Sequence, residues 1–329
     1  MTTKPAVSVV MVFHRLNPFM AEAVGSVLNQ TFRDLELILV DNGTGLGAEA
    51  LGEGALDPRV RFVRLPRNEG IPTGHNAGIA AAQGEFVTLL DYDDVALPTR
   101  VERQVAALRA DPRLGLVSCR AERINEHGTV LGPEFSLVGE DAQRDYTRYA
   151  APVVTPAYTG RREVFAALPY RAEFPLAADF DFLARVAERW TMGAVPEVLL
   201  RYRWHAAQTT QQKAAEIERS LCAIRLLTAR RRAAREEDLP SLSAWFTAGL
   251  QSRSASCRQC AQLCLAEKLP ALAAYHARRV FVLERTAANL AWAGRLALRA
   301  LVQARGSERR LAARLFLMGP VRAHRLRPA

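Results

Sequence analysis

Long hydrophobic runs are missing from this sequence. No stretch of the 329-residue chain approaches the ~20 consecutive apolar residues that span a bilayer. The N-terminus, MTTKPAVSVVMVFHRLNP, offers one lysine and an apolar run only from Val7 to Phe13. That run is too short and too early for a signal-peptide core. Cysteine is scarce and odd in number, with five residues at 119, 222, 257, 260 and 264. This argues against a disulfide-stapled secreted scaffold and for reduced thiols. The expected location is the cytoplasm, with peripheral contact at the inner face of the membrane left open. No Walker-type GK[ST], no G-x-S-x-G elbow and no H-E-x-x-H is present. Acidic residues are depleted in the last third: residues 211–329 hold 8 Asp/Glu against 22 Lys/Arg, a net of +14. Residues 1–210 carry a net of −4, so the whole basic excess of the chain, +10, lies beyond them. Nucleic-acid binding through the first two thirds is thereby disfavoured, and the tail has little aromatic interleaving, so no nucleic-acid partner is expected.

What is present is a globular composition, 49% hydrophobic and 24% charged, long enough for one large domain or two with real cores. Val7–Phe13 reads as a buried strand. Asn17-Pro18 reads as a helix cap followed by Pro at the first helical position, with Met20, Val24, Val27 and Leu28 at helical spacing after it. Residues 35–40 form a second strand ending at Asp41, and 60–64 an alternating third. Residues 72–83 look helical, with Gly84 closing the helix. Residues 85–90 form a fourth strand that runs into Asp91-Tyr-Asp-Asp94. Pro98 opens a helix through about Ala110, and 114–118 form a fifth strand. Residues 179–190 are helical again, and 195–204 extended. Strands alternating with helices predict an α/β domain over 1–210 with a mixed, mostly parallel sheet flanked by helices. Ligands bind such sheets beyond the carboxyl ends of the strands, where Asp41 and Asp91–Asp94 fall. Residues 211–329 predict an all-α basic appendage. Its expected helices include a stripe of Ile217, Leu221, Ile224 and Leu227/Thr228, a second around Leu242, Trp245, Phe246 and Leu250, and a hairpin broken at Leu269-Pro270.

Asp91, Asp93 and Asp94 place three carboxylates within four residues after an apolar strand. Like charges packed there are costly unless a cation or hydrogen-bond donors offset them. A hard divalent cation, Mn²⁺ or Mg²⁺, carrying substrate phosphate oxygens would do so; a solvated acidic turn capping the next helix is the plainer alternative.

Several motifs in order resemble a family 2 glycosyltransferase with the nucleotide-sugar-binding GT-A fold. The resemblance covers about residues 7–206. VSVVMVFHR (7–15) resembles the family's opening strand. AVGSVLNQTFRDLELILVDNGT (23–44) is similar to its S-x-L-x-Q-T run followed by a strand and V-D-x-G-S. RNEGIPTGHNAGIAAAQGEFVTLLDYDD (67–94) matches its N-x-G, N-x-G and G-E-strand-D-x-D-D run. The resemblance implies that Asp41 recognises the nucleobase, a carboxylate being able to accept from a pyrimidine N–H. It implies that Asp93 faces the ribose, that Asp94 ligates the metal on the diphosphate, and that Asp91 supports or contacts the nucleotide. Asn76 is implied either to touch the ligand or to hold a loop.

LAADFDFLARVAERW (176–190) resembles the family's E-D-x-D-L-W-x-R segment, which makes Asp179 the implied general base of an inverting transfer. Ala178 stands where the family has Glu, and Asp181 is the reserve candidate. The segment LLRYRWHAAQTT matches the Y-R-x-H element, which implies that His205 approaches the metal or diphosphate; Arg201 and Arg203 either approach phosphate or flank the strand. The first strand runs into Val12-Phe13-His14-Arg15, where the family commonly has a Pro-x-Tyr-Asn-like turn. GTGLG (43–47) lacks dinucleotide-fingerprint spacing and is expected to shape the loop beside the nucleotide.

The implied activity is metal-dependent transfer from a nucleotide diphosphate sugar to a glycan or lipid-linked acceptor, in surface polysaccharide or glycolipid assembly. The alternative, motivated by Ala178 and the altered first turn, is a catalytically impaired binding or scaffold protein acting through its tail. The arginine clusters of that tail are a solvated helix face or a contact for anionic lipid. Cys257-x-x-Cys260-x-x-x-Cys264 has metal-like spacing, but no nearby Cys or His in the sequence completes a site, and a buried thiol stripe is the better reading.

Overall fold

The computed structural model describes residues 4–47, 53–234 and 252–325. It divides into two units, Met1–Arg144 with Ala151–Ala206, and Asp145–Ala150 with Ala207–Ala329. The boundary near residue 210 is thus drawn at 206, and residues 145–150 belong with the second unit.

The first unit is built on a nine-stranded sheet, counted among the described residues. Its strands are β1 (Val7–Phe13), β2 (Leu35–Asn42), β3 (Val60–Leu65), β4 (Phe86–Leu89), β5 (Val95–Ala96), β6 (Leu114–Ile124), β7 (Val130–Pro133), β8 (Tyr158–Arg161) and β9 (Thr191–Arg203). Their order is β3-β2-β1-β4-β8-β6-β9-β5, with β7 pairing to β6. The pairs β1–β2, β1–β4, β2–β3 and β6–β9 are parallel, and β8 runs antiparallel between β4 and β6. Every residue of β1 and β2 is buried, as expected of parallel strands covered on both faces. Their polar members are satisfied: Ser8 Oγ donates to Glu36 Oε1 at 2.6 Å, and Arg61 reaches Glu36 Oε2 at 2.7 Å.

The flanking helices are α1 (Met20–Leu28), α2 (Ile71–Ala81), α3 (Arg100–Ala110), α4 (Glu140–Tyr146), α5 (Arg162–Ala167) and α6 (Ala178–Arg189). Three local expectations shift. Helix α1 begins at Met20, because Asn17 Oδ1 accepts from Phe19 N at 2.9 Å and forms a turn before the helix. Helix α2 ends at Ala81, so Gly84 does not close it. A Cβ at Gly84 would stand 2.7 Å from Ser8 N, so glycine is required there by the close passage of β1. Strand β6 extends to Ile124, beyond the expected 118. Past Cys119 its residues are a mixture of exposed, half-buried and buried, so the continuous buried run ends there, while β9 pairs with it along that length.

The second unit contains α7 (Thr209–Gln212), α8 (Ala214–Arg232), α9 (Arg253–Ala266), α10 (Pro270–Leu283), α11 (Ala287–Gln303) and α12 (Gly306–Arg325). Pro270 opens α10, where a missing N–H costs nothing. Ser252 and Thr286 cap α9 and α11 by accepting from Ala255 N and Asn289 N, each at 3.1 Å. The buried face of α8 includes Glu218, Cys222 and Arg225, while Ile217 and Leu221 are half-buried. Ile224, Leu227 and Thr228 of the expected stripe are buried, and beside them Glu218 and Arg225 bury as an ion pair at 3.1 Å. The helix expected around Leu242, Trp245, Phe246 and Leu250 lies outside the described residues. No described helix is long and apolar enough to cross a membrane.

Candidate active site

Parallel register fixes one edge of the site. Phe13 of β1 pairs with Asp41 of β2, and β4 leads directly to Asp91, so the carboxyl ends of the three central strands present Asp41 and the aspartate turn together. Asp41 is buried. Its Oδ1 accepts from Thr44 N and Thr44 Oγ1, both at 2.7 Å, and its Oδ2 accepts from Gly45 N at 3.0 Å. The carboxylate thereby shapes the 43–47 loop. Gly43 has φ +87°, and a Cβ there would meet Arg67 C at 2.2 Å, so the loop passes too close to residue 67 for any side chain.

Asp91, Asp93 and Asp94 each bring a carboxylate oxygen within 4.8 Å of the others. Asp94 is fully buried; its Oδ1 accepts from Arg203 N at 2.8 Å, and its Oδ2 has no hydrogen-bond partner among the described residues. Burial, then the neighbouring Asp93 and Asp91, push Asp94 well above the usual carboxylate range. Burial, Asp93 and then Asp179 push Asp91 up to about 7. An orphaned buried oxygen and two disfavoured charges make a donor set that fits a hard divalent cation.

Two arginines hold this turn. Arg100, 1% exposed, donates to Thr88 Oγ1 at 2.7 Å and Leu89 O at 3.0 Å, and its charge opposes the repulsion at Asp91 and Asp94. A cation in the first turn of a helix opposes the helix dipole, so its place at the start of α3 answers to the aspartates. Arg203 donates to Asp93 O at 2.9 Å and to Glu22 Oε2 at 2.6 Å, and lies 4.5 Å over the Phe19 ring. Of the two readings for Arg203, approach to phosphate or support of the strand end, the geometry gives the second. Arg201 pairs with Glu122 at 2.9 Å. His205 reaches the cluster through Asp93: its Nε2 lies 2.9 Å from Asp93 Oδ2. A ligand role for His205 requires that nitrogen to turn from Asp93 to a cation.

Asp179 lies in the first turn of α6, near enough to Asp91 to raise its pKa. Thr155 Oγ1 donates to Asp179 Oδ2 at 2.5 Å. The residue before that turn, Ala177, has φ +95° and ψ +22°, a left-handed conformation that costs an alanine ~1–2 kcal/mol. Asp181 is fully buried and accepts from Arg185 at 2.8 Å, with Arg171 at 3.3 Å, so it anchors the helix. Asn76 bridges to the backbone of Tyr170: its Nδ2 donates to Tyr170 O at 2.8 Å and its Oδ1 accepts from Tyr170 N at 2.9 Å. Of its two readings this is the loop-holding one.

Sequence reasoning passed over Arg100 and Thr155. Arg100 left a signal, because it and Gln104 are polar residues four apart in the apolar stripe of Val101, Val105 and Leu108. Thr155 left none, since it reaches Asp179 only through the fold.

The model for glycosyl transferase family 2 matches residues 8–168. An uncharacterized glycosyltransferase of Methanocaldococcus jannaschii is 29% identical over 208 residues, which is 61% of this chain and 71% of that protein. The succinoglycan biosynthesis protein ExoO of Rhizobium meliloti is 36% identical over 107 residues, 32% of this chain and 30% of that one. Staphylococcus aureus TarS 1–349 in complex with UDP-GlcNAc superposes with a TM-score of 0.59 at 14% identity, covering 92% of this chain and 90% of that chain. A longer TarS chain, of which this chain spans 53%, gives the same TM-score at 13% identity. These two likenesses are of fold.

Proposed function

The chain belongs to glycosyl transferase family 2, and from that premise we propose an inverting, metal-dependent transfer from a nucleotide diphosphate sugar to an acceptor hydroxyl. One observation carries the reading: Asp91, one of the three clustered carboxylates at the end of β4, sits within electrostatic reach of Asp179. A charged end for the diphosphate and a basic carboxylate thus lie near one another.

Asp94, with its unpartnered Oδ2, and Asp91 are the residues to hold Mn²⁺ or Mg²⁺, with His205 adjacent. When bound, such an ion supplies positive charge against the leaving diphosphate. Asp93 is assigned to the ribose. Asp41 is assigned to the base through Oδ2, which carries a single hydrogen bond among the described residues. Asp179 takes the proton of the attacking hydroxyl. Thr155 fixes one of its oxygens and directs the other to the acceptor. Attack from the face opposite the diphosphate inverts the anomeric carbon, through a transition state with oxocarbenium character. The likeness to ExoO supports a place in surface polysaccharide assembly, with a glycan or lipid-linked acceptor.

The test is nucleoside diphosphate release by the purified chain from UDP-, GDP- and dTDP-sugars with Mn²⁺ or Mg²⁺. Loss of release in Asp94→Asn and in Asp179→Asn is expected. Full turnover in either variant overturns the site assignment. Donor binding without any transfer across a broad acceptor screen would instead favour the scaffold alternative.

A further inference from the structure

The α-helical unit gathers four cysteines and a histidine into one buried cluster. Cys257, Cys260 and Cys264 follow one another at helical spacing on α9 and are fully buried. Helix α8 contributes Cys222 and α10 contributes His276, both fully buried as well. In the sequence the Cys257-x-x-Cys260 pair has no nearby partner; the fold brings partners from 35 and more residues away on one side (Cys222) and from the next helix on the other (roughly 16–19 residues on, His276). A donor atom from each of Cys222, Cys260 and His276 lies within 4.8 Å of the other two. His276 Nε2 is 3.3 Å from Cys260 Sγ, and its Nδ1 is 3.8 Å from Cys222 Sγ. Cys222 also belongs to a second such group with Cys257 and Glu218 and so links Cys257 to the first; closing a four-ligand site requires Cys257 Sγ to swing toward Cys260 and His276.

We propose that Cys222, Cys257, Cys260 and His276 bind one zinc ion as a closed structural site that locks α8, α9 and α10 together. Zinc with sulfur at about 2.3 Å and nitrogen at about 2.0 Å has tetrahedral edges of about 3.5–3.8 Å. His276 Nε2 stands 3.3 Å from Cys260 Sγ, close to such an edge, whereas the nitrogen facing Cys222 is Nδ1, so binding requires the ring to turn one nitrogen toward both sulfurs. Glu218 is a poor competitor for the fourth place, because Arg225, Arg253 and Arg279 all pair with it. Cys264 Sγ stands 4.0 Å from Cys260 Sγ and belongs to neither group.

Simple packing of thiols explains the cluster less well. Both ring nitrogens of His276 face sulfur, a weak hydrogen-bond partner, so as a core residue the imidazole is poorly satisfied. A metal takes the imidazole neutral and each cysteine as thiolate, and free cysteines are ordinarily thiols at neutral pH. Binding therefore exchanges Zn²⁺ for three thiol protons released to solvent and leaves a centre of net charge −1. Arg225, buried beside Cys222 and Cys257, supplies the compensating positive charge. All four ligands lie in the second unit, so the site stands apart from the glycosyl-transfer reading.

The full chain, purified without added metal and washed with EDTA, is expected to carry about one zinc per molecule by elemental analysis. After metal removal, titration with CoCl₂ should give thiolate-to-cobalt charge-transfer absorption and the intense visible bands of tetrahedral cobalt. An ion held by the aspartates, with or without His205, has no thiolate ligand and gives no such charge transfer. Cys222→Ser and Cys260→Ser should lose both metal and absorption, and Cys264→Ser should keep both. Where a ligand variant fails to fold, the wild-type titration and its three released protons per ion decide the matter. Wild-type protein that lacks zinc and shows no charge-transfer band with cobalt overturns the proposal, as does zinc retained undiminished by both Cys222→Ser and Cys260→Ser.

Discussion

Thr155 Oγ1 donates to Asp179 Oδ2 across 2.5 Å, joining the turn before β8 to the first turn of α6. The bond fixes the rotamer of the carboxylate. Thr155→Val, nearly isosteric, should lower kcat by about tenfold while leaving donor KM within about twofold, because only the base is disturbed. Steady-state kinetics measures both constants. An unchanged kcat would show that Thr155 does not position the base.

At Asp94 stability and activity should part company. Its buried Oδ2 lacks a partner and its ionised form is opposed by burial and by two neighbouring aspartates. Asp94→Asn removes that charge with little change of shape, so the folded chain should be as stable as wild type or more so in denaturant titrations without metal. Nucleoside diphosphate release should still fall by about 100-fold or more, as when a centre of transition-state charge stabilisation is lost. A variant destabilised by several kcal/mol would mean that Asp94 serves folding first.

Arg100 is the cation beneath the same turn, and its loss should couple to the aspartates. Arg100→Met removes the donor to Thr88 Oγ1 and Leu89 O and leaves buried carboxylates uncompensated, at a cost of about 3–5 kcal/mol. In the Asp94→Asn background the same change should cost at least about 1 kcal/mol less, a double-mutant coupling read from urea midpoints. Additive costs would place the value of Arg100 in its hydrogen bonds alone.

Most of the first unit was legible because parallel strands buried on both faces read as continuous apolar runs, and because the aspartate turn follows one of them. The sequence could not show which polar residues face inward. Asn76 carries either reading as a letter, and only the return of the chain at Tyr170 commits both ends of its amide to a backbone. Glu218 and Arg225 look like solvent-facing charges on α8 until each becomes the other's partner in the core. Cys257 and Cys260 show half a ligand set, and the remainder lies on helices that only packing brings alongside. The common cause is long-range pairing of polar groups, which leaves no periodicity behind.

His75 gives the first unit a pH dependence with a definite sign. It lies on α2, 6% exposed, with its ring 5.2 Å from that of Tyr170, and burial lowers its pKa to about 4. The unfolded chain titrates this group near 6.5, so above that pH it is neutral in both states and stability is complete. Between about 6.5 and 4 the unfolded state binds a proton that the folded state refuses, and stability falls by up to about 1.4 kcal/mol per pH unit. Below about 4 both states are protonated and the loss, about 3 kcal/mol in all, stops growing. Asp91, pushed up to about 7, acts in the opposite sense, so the pH profile of the wild type alone cannot isolate the histidine. The difference between wild type and His75→Gln isolates it, because the aspartates are common to both. Urea midpoints at pH 7.5 and 5 should therefore converge, with wild type losing its advantage over the variant as the pH falls. A difference that stays constant between those two values would mean that His75 is protonated in the folded chain at pH 5.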